Sequence, residues 1–134
     1  MSADILIGKK LNIADFRNPS SRPSAVLFIN SHCGFCRANA PFYREIVDAQ
    51  RRNKKGMNLA VASIEPPATT REFLTKERIE ADGIYQVSSA IKGLSNTPTL
   101  LILDEAGTVQ RVFVGMLDET RQRQFLDAMG RAAL

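Results

Sequence analysis

The sequence predicts an α/β fold, with a central mixed β-sheet flanked by helices. Three observations lead there. Residues 25–29, Ala-Val-Leu-Phe-Ile, are an unbroken apolar run of strand length, which suits a strand buried on both faces. The first half of the chain alternates such runs with a helical pattern, and that order demands parallel strands joined by helical crossovers. The second half reads as an antiparallel hairpin followed by a helix.

In order, residues 5–16 open the chain with a short apolar stretch that alternates around Leu11 and Ile13, an early strand candidate. Residues 17–23, dense in Asn, Pro and Ser, form a loop before the strand at 25–29. From Gly34 to about Asn53 the apolar residues Phe35, Ala38, Phe42, Ile46 and Ala49 recur at helical spacing, and Pro41 is expected to kink that helix. A second central strand covers 57–64 and ends at Pro66-Pro67. Thr69 or Thr70 is the expected cap of a helix over 71–80. Residues 84–87 are a short strand candidate and 88–92 one helical turn. Residues 99–103 and 108–114 form the hairpin around Asp104-Glu105-Ala106-Gly107. Asp118 is placed to cap a last helix whose apolar face is Phe125, Leu126 and Met129.

A chain of 134 residues with 44% apolar and 24% charged residues is expected to be one domain over 1–134 with a core of its own. The formal net charge of +4 is spread along the chain. Its densest run, Arg51, Arg52, Lys54 and Lys55, suits a helix C-terminus, with an acidic or membrane surface as the other reading. No nucleic-acid motif accompanies it, and no stretch reaches the ~18 apolar residues of a membrane span.

Cys33 and Cys36 are the only cysteines, and they fall where the strand at 25–29 gives way to a helix. Unpaired N–H groups and a partial positive charge at a helix start favour a thiolate on Cys33, the nucleophile of disulfide exchange. Cys36, nearly one turn on, is in reach to resolve a mixed disulfide. Gly34 permits close approach, and Phe35 is expected at the rim as an apolar contact. Inert buried core cysteines and half of a zinc site are the competing readings of a Cys-x-x-Cys pair. A structural zinc site needs four ligands, and the chain offers two cysteines and one histidine, His32. No metal is expected, and no cofactor beyond a redox-active Cys33–Cys36 disulfide.

With these residues in place the chain resembles the thioredoxin superfamily, and within it the TlpA/ResA-like (redoxin) branch of thiol–disulfide oxidoreductases. Pro41, eight residues after Cys33, matches the family's helix-kinking proline. Thr97-Pro98 resembles its cis-proline loop, and residues 98–107 resemble the P-T-x-x-x-x-D-x-x-G block of the branch, with Gly115 as the glycine that follows. The resemblance implies a thioredoxin fold with a TlpA-like helix and strand inserted between the second central strand and the cis-proline loop. It also implies a substrate groove in which Thr97 pairs with a substrate backbone, beside Pro98, Phe35 and Gly34. Protein thiols or disulfides and an upstream redox partner are the implied partners, for a chain expected to be monomeric. An extracytoplasmic compartment follows if a leader was removed, and the cytoplasm otherwise.

The sequence departs from that pattern at the acids. Leu27 stands where thioredoxins carry a buried acid, and Asn39 where ResA-like proteins carry Glu. His32 replaces the usual Trp and reads as a rim residue, or else as an imidazolium that steadies the thiolate. Glu65, past the second central strand, is a spare proton acceptor or else a loop-surface carboxylate. Two other functions remain on this scaffold. A thiol peroxidase is disfavoured because no Pro-x-x-x-Thr-x-x-Cys pattern precedes Cys33. A non-catalytic binding module is disfavoured by the intact Cys33, Cys36 and Pro98.

Overall fold

The computed structural model describes residues 6–10, 23–52, 58–87 and 96–132. Strand β1 (Ser24–Phe28) leads into helix α1 (Gly34–Ala38), which is followed after one residue by α2 (Ala40–Arg52). Strand β2 (Asn58–Ser63), helix α3 (Pro67–Glu77) and strand β3 (Gly83–Gln86) come next. Strands β4 (Thr99–Leu103) and β5 (Val109–Val114) precede helix α4 (Glu119–Ala132).

The five strands form one sheet in the order β3-β2-β1-β4-β5. β1 is central, parallel to β2 and antiparallel to β4, so the sheet is mixed as the chain order requires. β3 pairs parallel with β2, and β4 with β5 antiparallel. The turn between β4 and β5 holds Gly107 at φ +86°, a conformation that costs glycine little, and Asp104 Oδ1 accepts the N–H groups of Ala106 and Thr108. All five residues of β1 are buried, which explains its lack of alternation.

Ala25 and Leu27 of β1, with Ile29 just after it, share one core with both cysteines, with Tyr43 and Ile46 of α2, Phe73 and Leu74 of α3, and Phe125 of α4. Val26 and Phe28 face the other way, with Ala60, Leu101 and Val109. Phe125 is fully buried and meets Phe42 and Phe113 edge-on, with centroids 6.0 and 5.3 Å apart. Such a side chain contributes about 1.5–3 kcal/mol on burial, and here it fastens α2 and α4 to β5.

Two expectations are corrected. The helix after Cys33 is divided rather than merely kinked: Asn39 separates α1 from α2. Pro41 has no N–H to offer the Arg37 carbonyl four residues back, and its ring crowds that carbonyl. The third helix starts at Pro67, not after a threonine cap. Pro66 is the N-cap without a side-chain bond, and Thr69 and Thr70 lie inside the helix. Proline suits a first helical position, where its missing N–H has no partner to lose. Asp118 does cap α4, accepting the Arg121 N–H at 2.9 Å. Of the expected early strand, residues 6–10 are described, and Lys10 makes an isolated antiparallel bridge with Thr108. The rest of that stretch, and the turn expected over 88–92, lie outside the described residues.

Candidate active site

The site stands at the C-terminal end of β1, where the chain turns into α1. Cys33 is the N-cap of α1, and its Sγ accepts the Cys36 N–H at 3.1 Å. The two cysteines are paired as a disulfide with Cα atoms 5.2 Å apart. Cys33 is 9% exposed and Cys36 wholly buried, so what little access the pair has is at the first. Phe35 between them is 65% exposed and projects from the surface, as the sequence led one to expect. A Cβ added at Gly34 would meet nothing within 4 Å, so the chain approaches its surroundings openly there.

The three residues before Cys33 are each tied by hydrogen bonds. The Asn30 carbonyl accepts the Cys33 N–H at 3.3 Å, and Asn30 Oδ1 accepts the His32 N–H at 2.9 Å. Asn30 Nδ2 donates to Thr97 Oγ1 at 3.3 Å, which ties the Cys33 turn to the loop before β4. Ser31 donates twice to Glu65, from its N–H at 2.7 Å and its hydroxyl at 2.6 Å. The Ser31 carbonyl accepts from Arg37 at 3.4 Å. His32 is exposed on the rim.

Glu65 is therefore a half-exposed carboxylate held by Ser31. Burial pushes its carboxyl up, but the Ser31 hydroxyl and N–H, the nearby His32 and the Ser63 hydroxyl together outweigh that, and its pKa lies below the ordinary glutamate value. A doubly bonded carboxylate of this kind is a poor proton acceptor.

The opposite flank is dry. Leu27 is fully buried in the cluster that holds both cysteines. Asn39 is buried too, and its Oδ1 accepts the Leu117 N–H at 3.2 Å. Burial also pushes the Tyr43 phenol up, which keeps it neutral. The Thr97–Pro98 peptide bond is cis. The Pro98 carbonyl accepts the N–H of Gly115, which has φ +84°, at 2.8 Å. The loop from Gly115 to Leu117 is thus fastened both to Pro98 and to the break between α1 and α2, and it holds Met116 exposed between the two ties. Sequence reading named neither Asn30 nor Met116 as a site residue. Their ties join positions far apart in the chain, and no local pattern marks them.

A mixed sheet centred on β1, with a disulfide-paired Cys-x-x-Cys at the strand-to-helix turn and a cis-proline facing loop, decides the fold. The chain has the thioredoxin fold. Solved structures agree. One is a Chlorobium tepidum protein assigned as the thiol:disulfide interchange protein DsbE, with 18% identity over 86% of this chain and 82% of that one and a TM-score of 0.70. Another is a secreted thiol-disulfide isomerase from Corynebacterium glutamicum, with 15% identity, coverage of 84% and 71%, and a TM-score of 0.66. A third is a secreted Mycobacterium tuberculosis disulfide oxidoreductase homologous to Escherichia coli DsbE, with 15% identity, coverage of 83% and 82%, and a TM-score of 0.60. No protein-family model matches the sequence, and no curated protein matches it. Within the thioredoxin fold, no group of three or more His, Cys, Asp or Glu side chains among the described residues is arranged to hold a metal ion. No helix among them is long and apolar enough to cross a membrane.

Proposed function

We propose that this protein is a thiol–disulfide oxidoreductase that exchanges the Cys33–Cys36 pair with protein thiols and disulfides. The observation that carries the reading is the asymmetric pair itself: Cys33 at the helix cap with slight exposure, bonded to a wholly buried Cys36 whose N–H points at the Cys33 sulfur. In the dithiol that N–H, with the other free donors of the first turn, steadies a Cys33 thiolate.

Written as reduction of a substrate, the Cys33 thiolate attacks one sulfur of the substrate disulfide and expels the other as a thiolate. Cys36 then gives its proton to solvent and attacks Cys33 Sγ, expelling the second substrate thiolate. The substrate gains two electrons, and the pair is left as the Cys33–Cys36 disulfide. An upstream dithiol partner returns those electrons, and the reverse sequence oxidises a substrate dithiol.

Thr97 and Pro98, with Phe35 and Gly34 across from them, form the edge on which a substrate backbone lies in this reading. The solved structures of similar fold are named for thiol–disulfide exchange, which supports the same chemistry here. α3 and β3 occupy the stretch between β2 and Pro98 where the TlpA-like branch has its insertion, which supports placing the chain beside that branch.

The test is a Cys36→Ala variant incubated with a disulfide-containing protein. A stable mixed disulfide through Cys33, identified by mass spectrometry and released by dithiothreitol, is the expected result. No trapped species, or one through another residue, overturns the assignment of Cys33 as nucleophile.

A further inference from the structure

We propose that Glu65 is a positioning residue for the nucleophile, clamping Ser31 and thereby fixing the turn that delivers Cys33 to the cap of α1. The inference rests on the reading of Cys33 as the attacking sulfur. Its basis is the pair of hydrogen bonds from Ser31 to the two carboxylate oxygens, at 2.7 and 2.6 Å, across 34 residues of chain. Bonds to an ionised carboxylate are about twice as strong as neutral ones, so this contact is the strongest single hold on the turn.

The clamp is itself braced. The Glu65 N–H donates to Ser63 Oγ at 3.1 Å, and Ser63 is a fully buried residue at the end of β2. Glu65 is thus anchored to the sheet on one side and holds Ser31 on the other. Ser31 precedes Cys33 by two residues. The two peptide groups around Ser31 have their N–H on Glu65 and their carbonyl under Arg37, while those around His32 and Cys33 return to Asn30. Release of Ser31 therefore frees the half of the turn that Asn30 does not hold.

The remaining charges near Ser31 do not offer a substitute. The adjacent cleft of about 190 Å³ is lined by Ser31 with Arg37 on α1 and with Glu72, Lys76 and Glu77 on α3, two cations against two anions. His32 is on the exposed side. No acid stands at Leu27 or Asn39, so Glu65 is the carboxylate bonded to this turn.

The test measures the rate of Cys33 alkylation by iodoacetamide against pH, in the reduced full chain carrying Cys36→Ala, with Glu65 unchanged, Glu65→Ala or Glu65→Gln. Only the thiolate reacts, so the profile reports how well the turn presents Cys33 to its donors. With Glu65→Ala the neutral-pH rate is expected to fall about threefold, as the midpoint of the profile rises by about half a unit. Glu65→Gln keeps an acceptor for Ser31 but no charge, and is expected to react at or above the unchanged rate. Far-ultraviolet circular dichroism and the melting curve confirm that each variant is folded. Glu65→Ala reacting as fast as Glu65→Gln overturns the clamp, since the carboxylate then acts by charge alone. An unchanged rate in both variants overturns any role for Glu65. Neither result touches the oxidoreductase reading, which fails separately if the chain with Glu65 and Cys36 intact exchanges with no disulfide.

Discussion

The two flanks of the cysteine pair are built from opposite materials. On the Cys33 flank the turn is polar, and Asn30, Ser31, Glu65, Arg37 and Thr97 exchange hydrogen bonds around it. On the Cys36 flank Leu27 and Ile46 are fully buried in the core cluster of the cysteines, and the polar side chains there, Asn39 and Tyr43, are neutral. A thiolate is stabilised by donors and destabilised by apolar burial. The difference fits the proposed roles, with the polar, wet flank beside the sulfur proposed to attack and the apolar, dry flank beside the one proposed to resolve. It also teaches that the acids missing from Leu27 and Asn39 are not replaced in kind. The carboxylate bonded beside the pair, Glu65, holds Ser31 on the side of Cys33 instead.

The largest expected effect lies at that asymmetry. Cys33→Ser should reduce disulfide exchange to the uncatalysed background in a protein-disulfide reduction assay, while Cys36→Ala still forms the mixed disulfide. Equal single-turnover rates in the two variants would break the comparison at once. Next comes stability. Leu27→Ala removes a fully buried side chain on the dry flank and should cost about 2–5 kcal/mol in denaturant unfolding. Ser31→Ala on the wet flank removes one partly buried hydroxyl bond to an ionised carboxylate and should cost less, about 1.5–3 kcal/mol. A Ser31 penalty as large as that of Leu27 would mean that the turn is part of the core.

Much of the dry flank was legible in the sequence, and little of the wet one. Burial is written in local apolar patterns, so β1, the β4–β5 hairpin and the buried face of α2 were readable from residues a few positions apart. Cys33, Cys36 and Pro98 were readable because spacing and context mark them. The helix break was legible only as a kink, since Pro41 announces a missing bond but not how the chain on either side rearranges. The start of α3 was misplaced because two threonines look like caps. A proline pair can open a helix without a side-chain bond. The polar ties escaped because they join Ser31 to Glu65, Asn30 to Thr97 and Asn39 to Leu117, positions 34, 67 and 78 apart. Such pairs leave no period in the sequence.

Asn39 sharpens the comparison from the dry side. Its Oδ1 is the acceptor for the Leu117 N–H, so Asn39→Ala leaves a buried donor unpaired at a cost of about 1–3 kcal/mol. Hydrogen exchange at the Leu117 amide should quicken correspondingly, and Asn39→Asp, which keeps an acceptor oxygen, should restore its protection. An unchanged exchange rate in Asn39→Ala would show that the loop between β5 and α4 is held by its other ties, Gly115 to Pro98 and Gln122 to Leu117.

The smallest expected effect is electrostatic and lies on the wet side. Burial raises the Glu65 pKa, but the Ser31 bonds, His32 and Ser63 win, so the folded value lies below its ordinary 4.5. A depressed carboxylate adds stability that is fully present above the unfolded pKa and is lost as pH falls through the folded one. Glu65 is partly exposed and screened, so the contribution is a few tenths of a kcal/mol. Glu65→Gln should therefore lower the melting temperature by about 1–2 °C at pH 7, and the difference should shrink as pH falls from the unfolded pKa through the folded one. A difference that stays constant with acidification would assign the Ser31 contact to shape rather than charge. The two flanks would then differ in packing and not, as their hydrogen bonds indicate, in ionisation.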